Sequence, residues 1–257
     1  MPPPPTNRTG CLHSYAIACI VIQVGNSGTL RTGIIGASGY TGVELLRLLA
    51  SHPVLDVVYA TGDTQAGTLA SSLYPSLAAA YPSLVFAEFD VAEAAKCDVL
   101  FLGLPHEASM ALVPAYRLVD ASLYPQWYGF AHDQPEVLKR AVYGLPELYR
   151  NELAGASLIA TPGCYVTAAS LALTPLVRAG VIDPVIDPSS VIVDAASGVS
   201  GAGRTPKPNT HFNTVDEDFT AYGLLDHRHT PEIEQVTGAK VLFTPHLAPM
   251  NRGILAT

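Results

Sequence analysis

Seven residues constrain this chain more than any others. Gly36-Ala37-Ser38-Gly39-Tyr40-Thr41-Gly42 fall between a short strand-like run, Thr32-Gly33-Ile34-Ile35, and a segment whose apolar residues recur at Val43, Leu45, Leu46 and Leu49 with helical spacing. A strand handing over to a helix through a glycine turn is the opening unit of a wound α/β sheet. At such a turn the helix N-terminus and the loop N–H groups can cradle a pyrophosphate, and glycines let it come close. The spacing is GxxGxxG rather than GxGxxG, and plain tight turns contain glycines as well, so the flanking strand and helix are what favour the phosphate reading. Gly36, Ser38, Gly39, Tyr40, Thr41 and Gly42 are therefore the candidate cofactor-binding residues.

Further elements follow in alternation. Strands are predicted over Val54 to Ala60 and Asp98 to Leu102, as βαβ units require. From Pro114 to Tyr149 the pattern gives way to an aromatic loop around Tyr124-Pro125-Gln126-Trp127-Tyr128-Gly129-Phe130, with no strand visible. A helix is expected over Val166 to Val177, another opening at a Thr230 cap, and strands over Val191 to Ala195, Lys240 to Thr244 and Gly253 to Thr257. The fold class is α/β: a Rossmann-type parallel-sheet domain at 32–160 and an α+β substrate or catalytic domain at 161–257.

Charge and hydropathy narrow the functions. With 14 Lys+Arg against 22 Asp+Glu, a formal charge of -8 argues against a broad footprint for nucleic acid or anionic lipid. The apolar stretch Tyr15 to Val24 falls short of the roughly 20 residues that span a bilayer. Residues 1–31 read as a leader or tail, since 1–43 lack Asp and Glu and open on a proline run. Four cysteines, Cys11, Cys19, Cys97 and Cys164, show no paired spacing for zinc or a redox dithiol, which suits a reducing compartment and implies no metal.

One cysteine stands apart. Cys164 follows Pro162-Gly163 and heads a predicted helix, where the positive end of the macrodipole favours a thiolate nucleophile. A buried structural role is the ordinary alternative, and it is the one taken for Cys11, Cys19 and Cys97. The needed proton carrier is sought in Asp226-His227-Arg228-His229, whose two histidines lack the further ligands of a metal site. His13, His52, His106, His132 and His211 have no such company. The loop from Ser197 and Gly198 to Arg204, with Lys207 beyond it, offers backbone N–H groups and two cations to an anionic substrate, although such loops also serve as plain connections. Asp63, about 20 residues past the glycine turn, stands where an acid binds a ribose hydroxyl. Turn-forming neighbours fit a solvated loop acid equally, so the residues leave NAD and NADP open.

Taken in order, GASGYTG (from Gly36), GLPHEAS (from Gly103), LYPQWYGF (from Leu123), YGLPELYR (from Tyr143), ATPGCY (from Ala160), SGVSGAGR (from Ser197) and HRHTPEI (from His227) resemble the N-acetyl-gamma-glutamyl-phosphate reductases. That resemblance runs from about Thr32 to Thr257. It implies a cytoplasmic NADPH-dependent oxidoreductase of arginine biosynthesis that acts as a homo-oligomer on a small acyl phosphate, without nucleic acid, membrane or metal. It implies further that Cys164 is the nucleophile, His229 the acid/base, His227 an orienting or polarising group, and Arg204, Lys207, Ser197 and Gly198 the substrate contacts.

The chain also departs from that family. A βα stretch expected after GLPHEAS is absent around Pro114 to Tyr116, Glu107 replaces an expected glycine, and the segments expected after Thr257 are not present. The second domain is accordingly expected to be incomplete. Three other readings follow: a reductase for a related acyl phosphate, an inactive nucleotide-binding remnant, and, most distantly, a cysteine hydrolase.

Overall fold

The computed structural model describes residues 16–22, 28–105, 118–183 and 191–257. Cys11, His13, His106, Glu107 and the junction at 114–117 lie outside the described residues. β1 (Ala16–Ile22), β2 (Leu30–Ile35), β3 (Leu55–Ala60), β4 (Val99–Pro105), β5 (Val142–Tyr143) and β6 (Leu158–Ala160) form one sheet in the order β3-β2-β4-β1-β6-β5. β2 to β6 run parallel, and β1 runs against both of its neighbours.

Strand alternation puts successive residues of β2 on opposite faces. Ile34 joins Leu46 and Val43 of α1 (Tyr40–Leu49), Ala60 and Phe101 in one core layer. Ile35 packs on the other side with Tyr59, Leu102, Leu118, Tyr124 and Leu158. Leu46 is fully buried, so its truncation to alanine would cost about 2–5 kcal/mol.

The second sheet comprises β7 (Ile192–Gly198), β8 (Thr220–Ala221), β9 (Leu242–Ala248) and β10 (Ile254–Ala256), ordered β10-β7-β9-β8. Only β7 and β9 are parallel. α2 (Pro146–Leu153) leads back to β6, and α3 (Cys164–Arg178) and α4 (His229–Thr237) supply side chains to the core over this second sheet. Val193, Ala195 and Phe243 point into that core with Tyr165, Val166, Ala169, Ile233 and Val236. Ile192, Leu242 and Leu255 lie on the opposite, exposed face.

Three local features differ from the sequence expectation. The aromatic segment is not all loop: Tyr124–Tyr128 forms a helical turn ended by Gly129 at φ +78°. Fully buried Tyr124 holds it, stacked 5.0 Å from Tyr128. Val142–Tyr143 is a strand beside β6, too short at 2 residues to show a period. The last long helix begins at His229 rather than beyond Thr230, with Arg228 in the cap position.

Candidate active site

The glycine turn is shaped by close packing. Gly36 has φ +85°, and a Cβ there would come within 2.7 Å of the Gly103 carbonyl oxygen on β4. At Gly42 a Cβ would lie 2.4 Å from Ala37 Cα, so the helix can pass this close to the loop only without a side chain. The backbone of Ala37 donates to the Thr61 carbonyl (2.7 Å), and Gly36 N–H donates to Thr61 Oγ1 (2.9 Å). Ser38 Oγ donates to the Gly62 carbonyl (2.9 Å), while its own carbonyl accepts from Tyr74 Oη (2.7 Å). Gly39 is uncrowded, with its nearest neighbour 3.5 Å from a Cβ position. Beside it the amides of Tyr40, Thr41 and Gly42 open α1, where a helix has no carbonyl one turn earlier to receive them. Asp63 is exposed at φ +46°, opening a short turn after β3.

Cys164 occupies the first position of α3, a 15-residue helix with no acidic residue in its first turn. Its side chain is exposed, as a nucleophile requires. The His229 ring lies against the residue before it: a Cβ on Gly163 would be 2.4 Å from His229 Nε2. His229 is fully buried and His227 nearly so, with ring centroids 4.7 Å apart. The His229 backbone N–H donates to His227 Nδ1 (3.1 Å). A ring nitrogen that accepts a hydrogen bond carries no proton, so this contact selects neutral His227 with its proton on Nε2.

Side chains that the sequence reading passed over hold this arrangement. Fully buried Glu232 sits three residues after His229 on α4. Its Oε1 accepts from the Gly163 N–H (3.1 Å) and from Tyr143 Oη (2.6 Å), which ties the cysteine turn to the histidine helix. Tyr165 packs edge-on to both histidines, and its hydroxyl lies 2.9 Å from Tyr222 Oη and donates to the His246 carbonyl (3.0 Å). Burial, followed by the neighbouring Tyr222, pushes the Tyr165 pKa far up, so it stays a neutral phenol. The i, i+3 spacing of His229 and Glu232 was the available signal, but nothing in the sequence paired Glu232 with Gly163.

The candidate substrate residues divide. Ser197 and Gly198 end β7, and a Cβ on Gly198 would strike the Arg252 backbone nitrogen at 2.7 Å, so that glycine serves close packing of two loops. Ser197 is buried, and its Oγ donates to the Gly198 carbonyl (3.1 Å). Arg204 places its guanidinium 5.9 Å from the centre of the Tyr74 ring, whose hydroxyl donates to the glycine turn at Ser38. Lys207 caps a short turn over Pro208–Thr210. Arg252 reaches across to Glu44 of α1, a further contact between the halves. Among the described residues no cluster of three His, Cys, Asp or Glu gathers as a metal site, and no helix is long and apolar enough to cross a membrane.

A glycine-turn sheet joined to a cysteine-headed α+β half defines the semialdehyde dehydrogenase class. Two family models match accordingly: "Semialdehyde dehydrogenase, NAD binding domain" over residues 31–156 and "Semialdehyde dehydrogenase, dimerisation domain" over 164–257. The fold is shared with aspartate semialdehyde dehydrogenase from Candida albicans, solved with NADP (TM-score 0.55, 15% identity, 89% of this chain and 70% of that one). It is shared as well with a probable aspartate-semialdehyde dehydrogenase from Pseudomonas aeruginosa (TM-score 0.52, 15% identity, 89% and 73%). At the sequence level the chain is 48% identical over 250 residues to the N-acetyl-gamma-glutamyl-phosphate reductase of Symbiobacterium thermophilum, covering 89% of this chain and 70% of that one. The Methanopyrus kandleri reductase of the same name is 47% identical over 245 residues, covering 88% and 70%. The chain belongs to the N-acetyl-gamma-glutamyl-phosphate reductase family of oxidoreductases.

Proposed function

We propose that the chain reduces N-acetyl-L-glutamyl 5-phosphate to N-acetyl-L-glutamate 5-semialdehyde and inorganic phosphate, a step of arginine biosynthesis, with NADPH as reductant. The observation that carries this reading is Cys164 exposed at a helix N-terminus with His229 packed on the residue before it. The first-turn amides Tyr40, Thr41 and Gly42, next to the uncrowded Gly39, fit the pyrophosphate of a dinucleotide. Gly36 and Ser38 hold the turn in shape. Residues 32–160 then form the dinucleotide half and 161–257 the catalytic half.

In this mechanism Cys164 Sγ attacks the acyl carbon, the bond from that carbon to the phosphate oxygen breaks, and phosphate leaves behind a thioester. When bound, the nicotinamide supplies the hydride that this carbon must gain. His229 supplies the proton to the carbonyl oxygen of the resulting tetrahedral centre and takes it back as the C–S bond breaks, which releases the aldehyde and restores the thiolate. Neutral His227, donating through Nε2, orients the substrate or polarises its carbonyl oxygen. Ser197, Gly198 and Lys207 are assigned to the anionic ends of the substrate. Arg204 shares that role from a position beside Tyr74 and the glycine turn.

The exposed sheet face bearing Ile192, Leu242 and Leu255 suits contact with a second copy and supports a homo-oligomer. An exposed thiol outside any disulfide fits the reducing cytoplasm. The test is the reverse reaction: phosphate-dependent reduction of NADP with N-acetylglutamate semialdehyde, run beside Cys164→Ala. Wild-type turnover, reduced by about a thousandfold or more in the variant while NADPH binding persists, is expected. Folded wild type that binds NADPH without turnover sinks the assignment in favour of a nucleotide-binding remnant.

A further inference from the structure

Five strands of the first sheet point one way, and the sixth, the first in the chain, runs the other way. β1 lies between β4 and β6 and opposes both. Ala16 pairs with Pro105 and Ile22 with Val99 on one side, while Cys19, Ile20 and Val21 pair with Ala160, Ile159 and Leu158 on the other. Without β1, β4 and β6 would face each other across two strand spacings, roughly 10 Å. Each would then present an open row of backbone donors and acceptors. Among the described residues no other strand links them.

We propose that Ala16–Ile22 is a donor strand from the chain's own N-terminal segment, which fills a strand-accepting slot and fixes the dinucleotide half-sheet β3-β2-β4 to the half-sheet β6-β5 that leads into the cysteine. Both flanking strands run parallel to each other, so a wound sheet would ordinarily fill this place with a parallel strand. A reversed strand satisfies the same backbone groups from a distant part of the chain. The segment Ala-Ile-Ala-Cys-Ile-Val-Ile is uncharged and rich in β-branched residues, the composition of a strand covered on both faces rather than of an alternating edge strand.

The slot adjoins both halves of the candidate site. β4 carries Gly103, whose carbonyl lies under Gly36, and β6 ends at Ala160, just ahead of Gly163 and Cys164. Spacing between β4 and β6 therefore sets how far the glycine turn stands from the nucleophile. Residues 16–22 act in this way as a positioning element.

Hydrogen exchange on the full-length chain reads the slot without turnover, so the outcome is independent of the reaction proposed above. Peptides over 16–22 are expected to exchange at least about a hundredfold slower than an unstructured chain, in step with peptides over β4. Fast exchange over 16–22 beside protected β4 and β6 overturns the proposal. So does protection that is lost on dilution together with a fall in molecular mass, because the slot would then hold a second copy's segment. Ile20 pairs with both Phe101 and Ile159, and Ile20→Pro removes a ladder donor where a central strand cannot take proline. That variant is expected to lose protection along β4 and β6 while α4 keeps its own; unchanged protection there also overturns the proposal. Should it fail to fold, the wild-type measurement still decides.

Discussion

The two halves of the candidate site are built by different means. In the dinucleotide half the backbone does the shaping: Gly36, Ala37 and Gly42 pack strand, turn and helix against Thr61 and Gly103, and the groups offered to a ligand are main-chain amides. In the cysteine half buried side chains do it. Glu232, Tyr143, His229, His227 and Tyr165 come from three separate stretches and meet around Gly163. A site made from backbone is fixed by local spacing, whereas one made from side chains depends on how α3, α4 and β5 dock.

Glycine-to-alanine changes on the two sides can break that comparison. Gly163 has ordinary φ and ψ, so Gly163→Ala acts only by driving a methyl into the His229 ring. It should lower kcat by on the order of a hundredfold, the cost of misplacing a reacting group by about 1 Å, while the Kd for NADPH stays near wild type. A kcat within a few-fold of wild type would show that His229 does not set the geometry. Glu232→Ala removes the acceptor of both the Gly163 N–H and Tyr143 Oη, each worth about 1–3 kcal/mol. Glu232→Gln retains an acceptor oxygen and should recover most of the stability; comparing the rates at which the variants lose Cys164 to iodoacetamide separates tethering from charge. Equal damage from both substitutions would place the effect in the carboxylate charge.

Gly42→Ala sharpens the contrast from the other side. Overpacking against Ala37 should destabilise by about 1–3 kcal/mol and weaken NADPH binding in a fluorescence titration, with kcat at saturation far less affected. A fall in kcat equal to that of Gly163→Ala would erase the distinction between the halves. The smallest effect is expected for Arg252→Ala, since the Arg252–Glu44 pair between the halves is half-exposed and such pairs contribute about 0–1 kcal/mol. Hydrogen bonding to Arg47, helped by Arg252, holds the Glu44 carboxyl below its ordinary value of 4.5. Folding lowers this pKa, so the stabilisation is present above that value and fades as pH falls through the folded one. Urea titrations of wild type and variant should therefore converge in acid; a gap that widens there would contradict the pairing.

Legibility in the sequence followed the same division. The glycine turn, α1, β3 and β4 were readable because each carries its own period or its own glycine signal over a few residues. Cys164 and the His227–His229 pair were readable as residue types beside helix starts. Glu232 was not, because a carboxylate on an exposed-looking helix differs from a buried one only through its partners, and Gly163 is distant in sequence. β5 escaped because two residues show no alternation. Residues 16–22 were set with the leader or tail because a short apolar run reads alike as a leader core or a covered strand.

The sequence by itself determined the α/β class, the glycine turn between strand and helix, the helix-heading cysteine and the family, since these reside in contiguous residues whose spacing follows from chain geometry. Only the tertiary structure decided that His229 rests on Gly163, that Glu232 ties the cysteine turn to the histidine helix, that Arg204 turns toward Tyr74, and that β1 lies reversed between β4 and β6. Each of these joins residues far apart along the chain. Such contacts are fixed by which burial and hydrogen bonds the packed whole can satisfy together, and no local pattern encodes that choice.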